Sequence, residues 1–208
     1  MDLFSFDESF YNKKVSLIAG IDEAGRGSIA GPVVAAGVIF PKGFKIPYLN
    51  DSKQLSIQRR EKLFAIIKKK SLAYSIKAVD NKTIDKINIL QATFLAMYGA
   101  VSGLPIQPNL CLIDGNYIIP NFSLNQVAIV KGDAKSASIA AASILAKVAR
   151  DNIMIKYARK YSVYKFEKHK GYATKWHIES LKMCGVCPIH RLTFAPVKNV
   201  VSQIKFGI

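Results

Sequence analysis

Two adjacent acids, Asp22 and Glu23, close an apolar run from Val15 to Ile21. The run predicts a buried strand, where the charge on both carboxylates is strongly disfavoured and calls for a cation. Two further apolar runs end in acids: Asn109 to Ile113 (NLCLI) leads into Asp114, and Gln126 to Val130 (QVAIV) leads through Lys131 and Gly132 into Asp133. In a chain with 14 acids among 208 residues, that placement is informative. If the strands lie side by side, four carboxylates converge at one end of a sheet. Hard oxygen donors of this kind suit Mg²⁺ or Mn²⁺, which take carboxylate, water and phosphate oxygens together. Two such ions roughly 3.5 to 4 Å apart activate a water and stabilise the leaving oxygen of an in-line phosphoryl displacement. Taken singly, any of these acids could instead cap a helix or pair with a lysine.

The remainder of the chain is basic. Lys and Arg number 30, giving a formal net charge of +16 and a sequence pI near 9.8. Such an excess favours a polyanionic partner, nucleic acid first and an anionic membrane second. A basic protein with an acidic hole is the electrostatic design expected of a metal-dependent nuclease. Residues 151–208 hold 11 basic residues against 3 acids. That tail is expected to grip a backbone, although a solvated helical face would give the same count.

The three cysteines, Cys111, Cys184 and Cys187, form no disulfide framework and point to a reducing compartment. The N-terminus, MDLFSFDESF, has acids where a secretory signal needs positive charge, so a cytoplasmic location without export is expected. The uncharged stretch Ile87 to Ile113 is split by Pro105, Gln107, Pro108 and Asn109. Its helical part, Asn88 to Gly103, would span about 24 Å, short of a hydrocarbon core of about 30 Å. It reads as a buried helix, a loop and a strand, with no membrane span.

The elements that must position the acids can be taken in order. Val15 to Ile21 and Pro32 to Phe40 read as two strands, with GRGSIAG between them making a tight reversal and an antiparallel pair. Ser56 is a candidate N-cap for a helix from Ile57 to Lys70, with Leu63, Phe64, Ile66 and Ile67 on its apolar side. Leu72 to Val79 reads as a third strand. Asn88 with Gln91 resembles a capping pair opening a helix to about Gly103. After the strands that lead into Asp114 and Asp133 comes a long helix, about Ser136 to Tyr161, whose first half is mostly small residues that allow close approach to a sheet. The division is expected near Tyr161: residues 1–161 as the catalytic domain and 162–208 as a helical, basic substrate-binding segment with a helical candidate near Lys175 to Met183.

Gly25, Gly27 and Gly31 have a spacing like that of a dinucleotide-binding loop, but that fingerprint must open a helix, and Pro32 followed by VVAAGVIF predicts a strand. A better use is close backbone approach to a sugar-phosphate chain, with Arg26 able to fork onto phosphate. The plainer alternative is an ordinary hairpin turn.

Six stretches, IDEAGRGSIAGPVVAAGV, NDSKQLS, LIDGN, VKGDAKSASIAAASILAKVARD, GYATKWH and HRLTFAPV, taken in this order, strongly resemble bacterial ribonuclease HII. The resemblance runs from about Leu17 to Val197. It implies an α/β RNase H-like fold: a five-stranded mixed sheet with helices on both sides and a small helical C-terminal segment. It also implies a Mg²⁺- or Mn²⁺-dependent endonuclease, using two ions, that cuts the RNA strand of RNA–DNA hybrids and single ribonucleotides in duplex DNA, leaving 5′-phosphate and 3′-hydroxyl ends. By matching motif, Asp22, Glu23, Asp114 and Asp133 look like the active-site carboxylates. Gly25, Arg26 and Gly27 look like the loop that senses the ribose 2′-hydroxyl, and Tyr172 like the tyrosine that stacks on the following sugar. Lys53, in DSKQL, is a candidate phosphate contact or a solvated loop lysine. A monomer is expected. The sister family, ribonuclease HIII, carries an additional N-terminal domain for which no room is expected ahead of Leu17, and with little following HRLTFAPVKNV the extra terminal helix of longer relatives is expected to be missing.

Three polar features remain. Asp151 is expected to pair with Arg150 or a nearby lysine. Cys184, Cys187, His177 and His190 could hold zinc, but a single CxxC is a weak signal, and the histidines read as structural or phosphate-adjacent. Tyr161, Tyr164 and Phe166 are expected in a small C-terminal core.

Overall fold

The structure, a computed structural model, describes residues 2–49, 52 and 55–206. Its centre is a five-stranded mixed sheet in the order β3-β2-β1-β4-β5. The strands are β1 (Ile18–Ala24), β2 (Val33–Ile39), β3 (Ala73–Val79), β4 (Leu110–Asp114) and β5 (Asn125–Ile129). The first three pair antiparallel, while β4 runs parallel to β1 and β5 parallel to β4. The parallel strands must end at the same edge, and that edge carries the acids.

Alternation along β1 divides its side chains between two layers. Ala19 and Ile21 join a core with Val33, Ala35 and Ile113 against α3 (Asn81–Ser102). Ile18 packs on the other face with Leu112 and Ile139, the last from α4 (Ala137–Lys160). Between them is Gly20. A Cβ there would lie 2.0 Å from the Ser138 carbonyl carbon and 2.3 Å from the Ile139 nitrogen, so the helix backbone rests directly on the strand. The run of small residues at the start of α4 permits this contact.

Caps follow the sequence closely. Ser56 accepts from Arg59 N–H at the start of α2 (Ile57–Lys70), and Ser136 accepts from Ile139 N–H at the start of α4. On α2, Leu63 and Ile67 are buried and Phe64 is half-buried, but Ile66 faces solvent. Asn88 does cap a helical segment, accepting from Leu90 and Gln91 N–H, but at φ 65° it sits inside a longer helix. That helix begins at Asn81 under an Asp80 cap and kinks at Asn88.

Three local expectations are corrected. The carboxylates Asp22 and Glu23 are in β1, which extends to Ala24, because pairing to Ala36 and Ala35 of β2 continues through them. The β1–β2 connection is no tight reversal. Residues 25–32 leave the sheet to bond with the C-terminal segment, through Ile29 N–H to Gly171 O, Gly31 N–H to Ile189 O and a bridge between Ala30 and His190. Helices also exist at both ends where the sequence offered no clear signal: α1 (Leu3–Glu8) and α7 (Ala195–Phe206).

The first of these is anchored by Asp7, whose carboxylate accepts from Ser136 Oγ at 2.5 Å, Ser138 N at 2.8 Å and Ser138 Oγ at 2.7 Å. Burial raises the Asp7 carboxyl even so. Beyond α4, α5 (Phe166–His169) and α6 (Lys175–Cys184) carry the remaining short core, in which Tyr164 and Phe166 are buried and Tyr161 is packed at the edge.

Gly20→Ala should destabilise the fold by about 3 kcal/mol, since backbone rather than a flexible side chain must yield. Urea unfolding checks this. A loss below about 0.5 kcal/mol would mean that α4 can lift off β1 freely.

Candidate active site

The final pair between β1 and β4 is Ile21 with Ile113, and the next residue on each strand is an acid, Asp22 and Asp114. Together with Glu23 they line a cavity of about 270 Å³ at the sheet edge, walled also by Gly25, Arg26, Gly27, Ser52, Ser143, Lys147 and Tyr172. Asp133 is not on that wall. It lies buried in a 3-10 turn, Gly132–Ala134, which is tied to the site because Gly132 N–H donates to Asp114 Oδ1 at 2.7 Å. Lys53 lies outside the described residues.

The electrostatics of the pair are unfavourable on their own. Asp22 is 5% exposed, and its carboxyl is raised well above the ordinary value, first by burial, then by the charges of Glu23 and Asp114. Glu23 N–H donates to Asp22 Oδ1 at 2.6 Å, and Ser143 adds a second bond that favours the ionised form. Glu23 is raised by burial too, against which Arg26 acts through an ion pair at 3.1 Å. Glu23 Oε2 remains buried with no hydrogen-bond partner among the described residues.

Oxygen donors, crowded like charges and an orphaned buried carboxylate oxygen are the chemistry that a hard divalent cation satisfies. The residues therefore fit Mg²⁺ or Mn²⁺. Among the described residues no three His, Cys, Asp or Glu side chains close into a metal-holding cluster; Glu23 is paired with Arg26, and Asp114 accepts from the Gly132 amide.

Tyr172 enters from the C-terminal segment. Its ring is 38% exposed, with Lys147 Nζ 5.7 Å and the Arg150 guanidinium carbon 5.5 Å from the centroid. Its main chain is fixed by histidines. Cys187 N–H donates to His190 Nδ1, so neutral His190 is protonated at Nε2 and donates to His177 Nε2 at 3.1 Å. That leaves His177 Nδ1–H to donate to Tyr172 O at 2.9 Å. Burial pushes both imidazoles down to about 4, keeping them neutral near pH 7. These nitrogens are committed to structure rather than to zinc, and all three cysteines are free.

Sequence reasoning missed Ser143 and Lys147, although their i, i+4 spacing with Asp151 marks one helix face. Asp151 does pair with a nearby lysine, Lys147, at 2.8 Å. Arg150 instead turns under the glycine loop, donating to main-chain carbonyls.

A family model described as ribonuclease HII matches residues 19–197. A ribonuclease HII of Endomicrobium trichonymphae is 64% identical over 100% of this chain and 99% of that protein. Among solved structures, ribonuclease H2 from Pyrococcus horikoshii superposes with a TM-score of 0.76 at 29% identity, covering 91% of this chain and 99% of that one. A ribonuclease HIII in complex with Mn²⁺ shares the fold, with a TM-score of 0.71 at 18% identity, covering 93% of this chain and 72% of that one.

The raised Asp22 carboxyl has a consequence for stability. The folded chain holds this proton more tightly than the unfolded chain. Its contribution is therefore largest below the ordinary value of 3.8 and is lost as pH rises from there toward the folded value. In metal-free buffer, Asp22→Asn should melt a few degrees above wild type at pH 7.5, with the gain shrinking toward pH 4. Mn²⁺ should raise the melting temperature of wild type more than that of the variant. Calorimetry giving a lower value for the variant at pH 7.5 would contradict this balance of charges.

Proposed function

The chain belongs to the ribonuclease HII family and is an endoribonuclease, and from that premise we propose that it cuts the RNA strand of RNA–DNA hybrids and single ribonucleotides embedded in duplex DNA. The observation that carries this reading is one cavity in which three carboxylates, the buried Asp22 and the half-buried Glu23 and Asp114, meet a glycine loop and a half-exposed tyrosine. Asp22, Glu23 and Asp114 would hold the divalent ions, Mn²⁺ or Mg²⁺, with Asp133 as the fourth acid. A Mn²⁺ complex of a ribonuclease HIII with the same fold supports the choice of metal. When bound, two ions on these carboxylates would supply an activated water and charge stabilisation at the leaving 3′-oxygen, giving 5′-phosphate and 3′-hydroxyl ends.

The chain's own residues set the substrate. Tyr172, its main-chain carbonyl held by His177, presents a ring whose exposed part is available to stack on a sugar. Gly27 has no heavy atom within 4 Å of where a Cβ would be, so packing does not require glycine there. The missing side chain leaves room for a ligand backbone instead. Gly25, Arg26 and Gly27 together are positioned to read a 2′-hydroxyl, the one group that separates RNA from DNA at a site. Lys53 serves as a phosphate contact.

Residues 162–208 act as the substrate-binding segment that grips the duplex, on residues 1–161 as the catalytic domain. Among the described residues no helix is long and apolar enough to cross a membrane. The free cysteines support a reducing, cytoplasmic setting, and the protein works as a monomer.

A duplex DNA carrying one ribonucleotide should be cleaved 5′ of it in Mn²⁺ or Mg²⁺, and an all-DNA duplex of the same sequence should not. Intact ribonucleotide duplex under both ions would sink the reading. Asp114→Asn should cut turnover by about a hundredfold or more while hybrid binding persists; near-wild-type turnover would remove Asp114 from the site. Binding should also weaken steeply between 50 and 200 mM salt, by roughly a thousandfold if about six phosphates are neutralised. A flat titration would exclude the basic segment as the grip.

A further inference from the structure

Two arginines lie fully buried beneath the loop 25–32: Arg150 from α4 and Arg191 from the segment between α6 and α7. A buried guanidinium is ordinarily matched by a carboxylate. Here the donors go to main-chain carbonyls. Arg191 donates from Nε to Gly31 O at 3.0 Å, from Nη1 to Arg26 O at 2.9 Å and from Nη2 to Gly25 O at 2.7 Å. Arg150 donates from Nε to Pro32 O at 2.9 Å, from Nη2 to Ala30 O at 3.2 Å and from Nη1 to Lys170 O at 3.0 Å. The nearest acids that act on them electrostatically, Asp85 and Asp151, are committed elsewhere. Asp85 accepts from Leu192 and Thr193, and Asp151 pairs with Lys147.

The geometry of the peptide unit turns this into a statement about donors. No described peptide bond is cis, so each amide N–H points opposite to the carbonyl of the residue before it. Drawing the carbonyls of Gly25 and Arg26 onto Arg191 turns the N–H groups of Arg26 and Gly27 away from it. Gly25, Arg26 and Gly27 line the carboxylate cavity. Further along the loop no such donor arises, because Gly31 N–H is bonded to Ile189 O at 2.8 Å and Pro32 has no N–H. Gly25 makes the arrangement possible. Its φ is +96°, and a Cβ there would lie 1.9 Å from Arg150 Nε.

We propose that Arg191, assisted by Arg150, is a positioning residue that sets the polarity of this loop, carbonyls inward and the amides of Arg26 and Gly27 outward as paired donors to the substrate's ribose or phosphate oxygens. The proposal rests on the function given above and extends it. Discrimination for a ribonucleotide is assigned to buried cations that touch no substrate. Lysine cannot replace Arg191, because a single ammonium lacks the planar fork that holds two adjacent carbonyls at once.

The test compares dissociation constants of the full chain for two duplexes of one sequence, with and without a single ribonucleotide, with Ca²⁺ in place of Mg²⁺. Wild type should prefer the ribonucleotide duplex; no preference overturns the reading of the loop as a 2′-hydroxyl sensor and this inference with it. Arg191→Lys should lose roughly tenfold of that preference while its affinity for all-DNA duplex stays at the wild-type value. A wild-type preference in a folded Arg191→Lys protein overturns the proposal alone. Equal weakening for both duplexes does the same, because it is what a merely structural role would give. Arg150→Lys, which releases Ala30 and Pro32 rather than Gly25 and Arg26, is the second variant and should lose preference in the same sense; if neither folded variant loses preference, the proposal fails.

Discussion

The structure depends on one close contact, the seating of the α4 backbone on Gly20 of β1. With no side chain between them, helix and strand run together toward the carboxylate edge, and the helix carries a fixed series of residues along that path. Ser138 meets the N-terminal helix through Asp7, Ser143 faces Asp22, Lys147 lines the cavity, and Arg150 reaches under the glycine loop. At about 1.5 Å per residue these positions are set by helical rise alone once the first contact is made. A shift of the helix by one turn would displace all of them at once.

The second theme is charge placed against its own preference. Asp22 is a buried acid and Glu23 a half-buried one, and both are raised by burial and by the charge of Asp114, in a protein with a large positive excess. Beneath the loop that follows them, Arg150 and Arg191 are buried cations held by carbonyl oxygens. Neutralising each set with the other inside the fold would have been simpler. They are instead kept apart, the acids at the cavity and the arginines behind the loop. The acids are thus left without an internal counter-charge apart from Arg26, and the loop carbonyls are held by the buried arginines.

The histidines show a related economy. His190, His177 and the Tyr172 carbonyl form a directional chain in which each proton position follows from the one before, starting at the Cys187 amide. Because burial holds the imidazoles neutral, the chain keeps one tautomer near neutral pH. Tyr172 is thus fixed at its backbone from one side and flanked at its ring by cations from another.

How much of this was legible in the sequence depends on the range of the interaction. Apolar runs marked the strands, with alternation in the third, the Ser56 cap marked one helix and a run of small residues another, and acids at the ends of apolar runs marked the carboxylates, since each signal is written within a few neighbouring residues. The resemblance carried by the motifs added the family and the fold. The detour of residues 25–32 could not be read, because it is set by hydrogen bonds to Gly171 and Ile189, more than 100 residues away. Nor could the burial of Arg150 and Arg191, whose partners are carbonyls that every residue possesses and no sequence pattern distinguishes. The sequence by itself determined which chemistry is present and on which elements it sits. Only the tertiary structure decided which backbone amides face that chemistry, because their direction is imposed by long-range donors and not by local propensity.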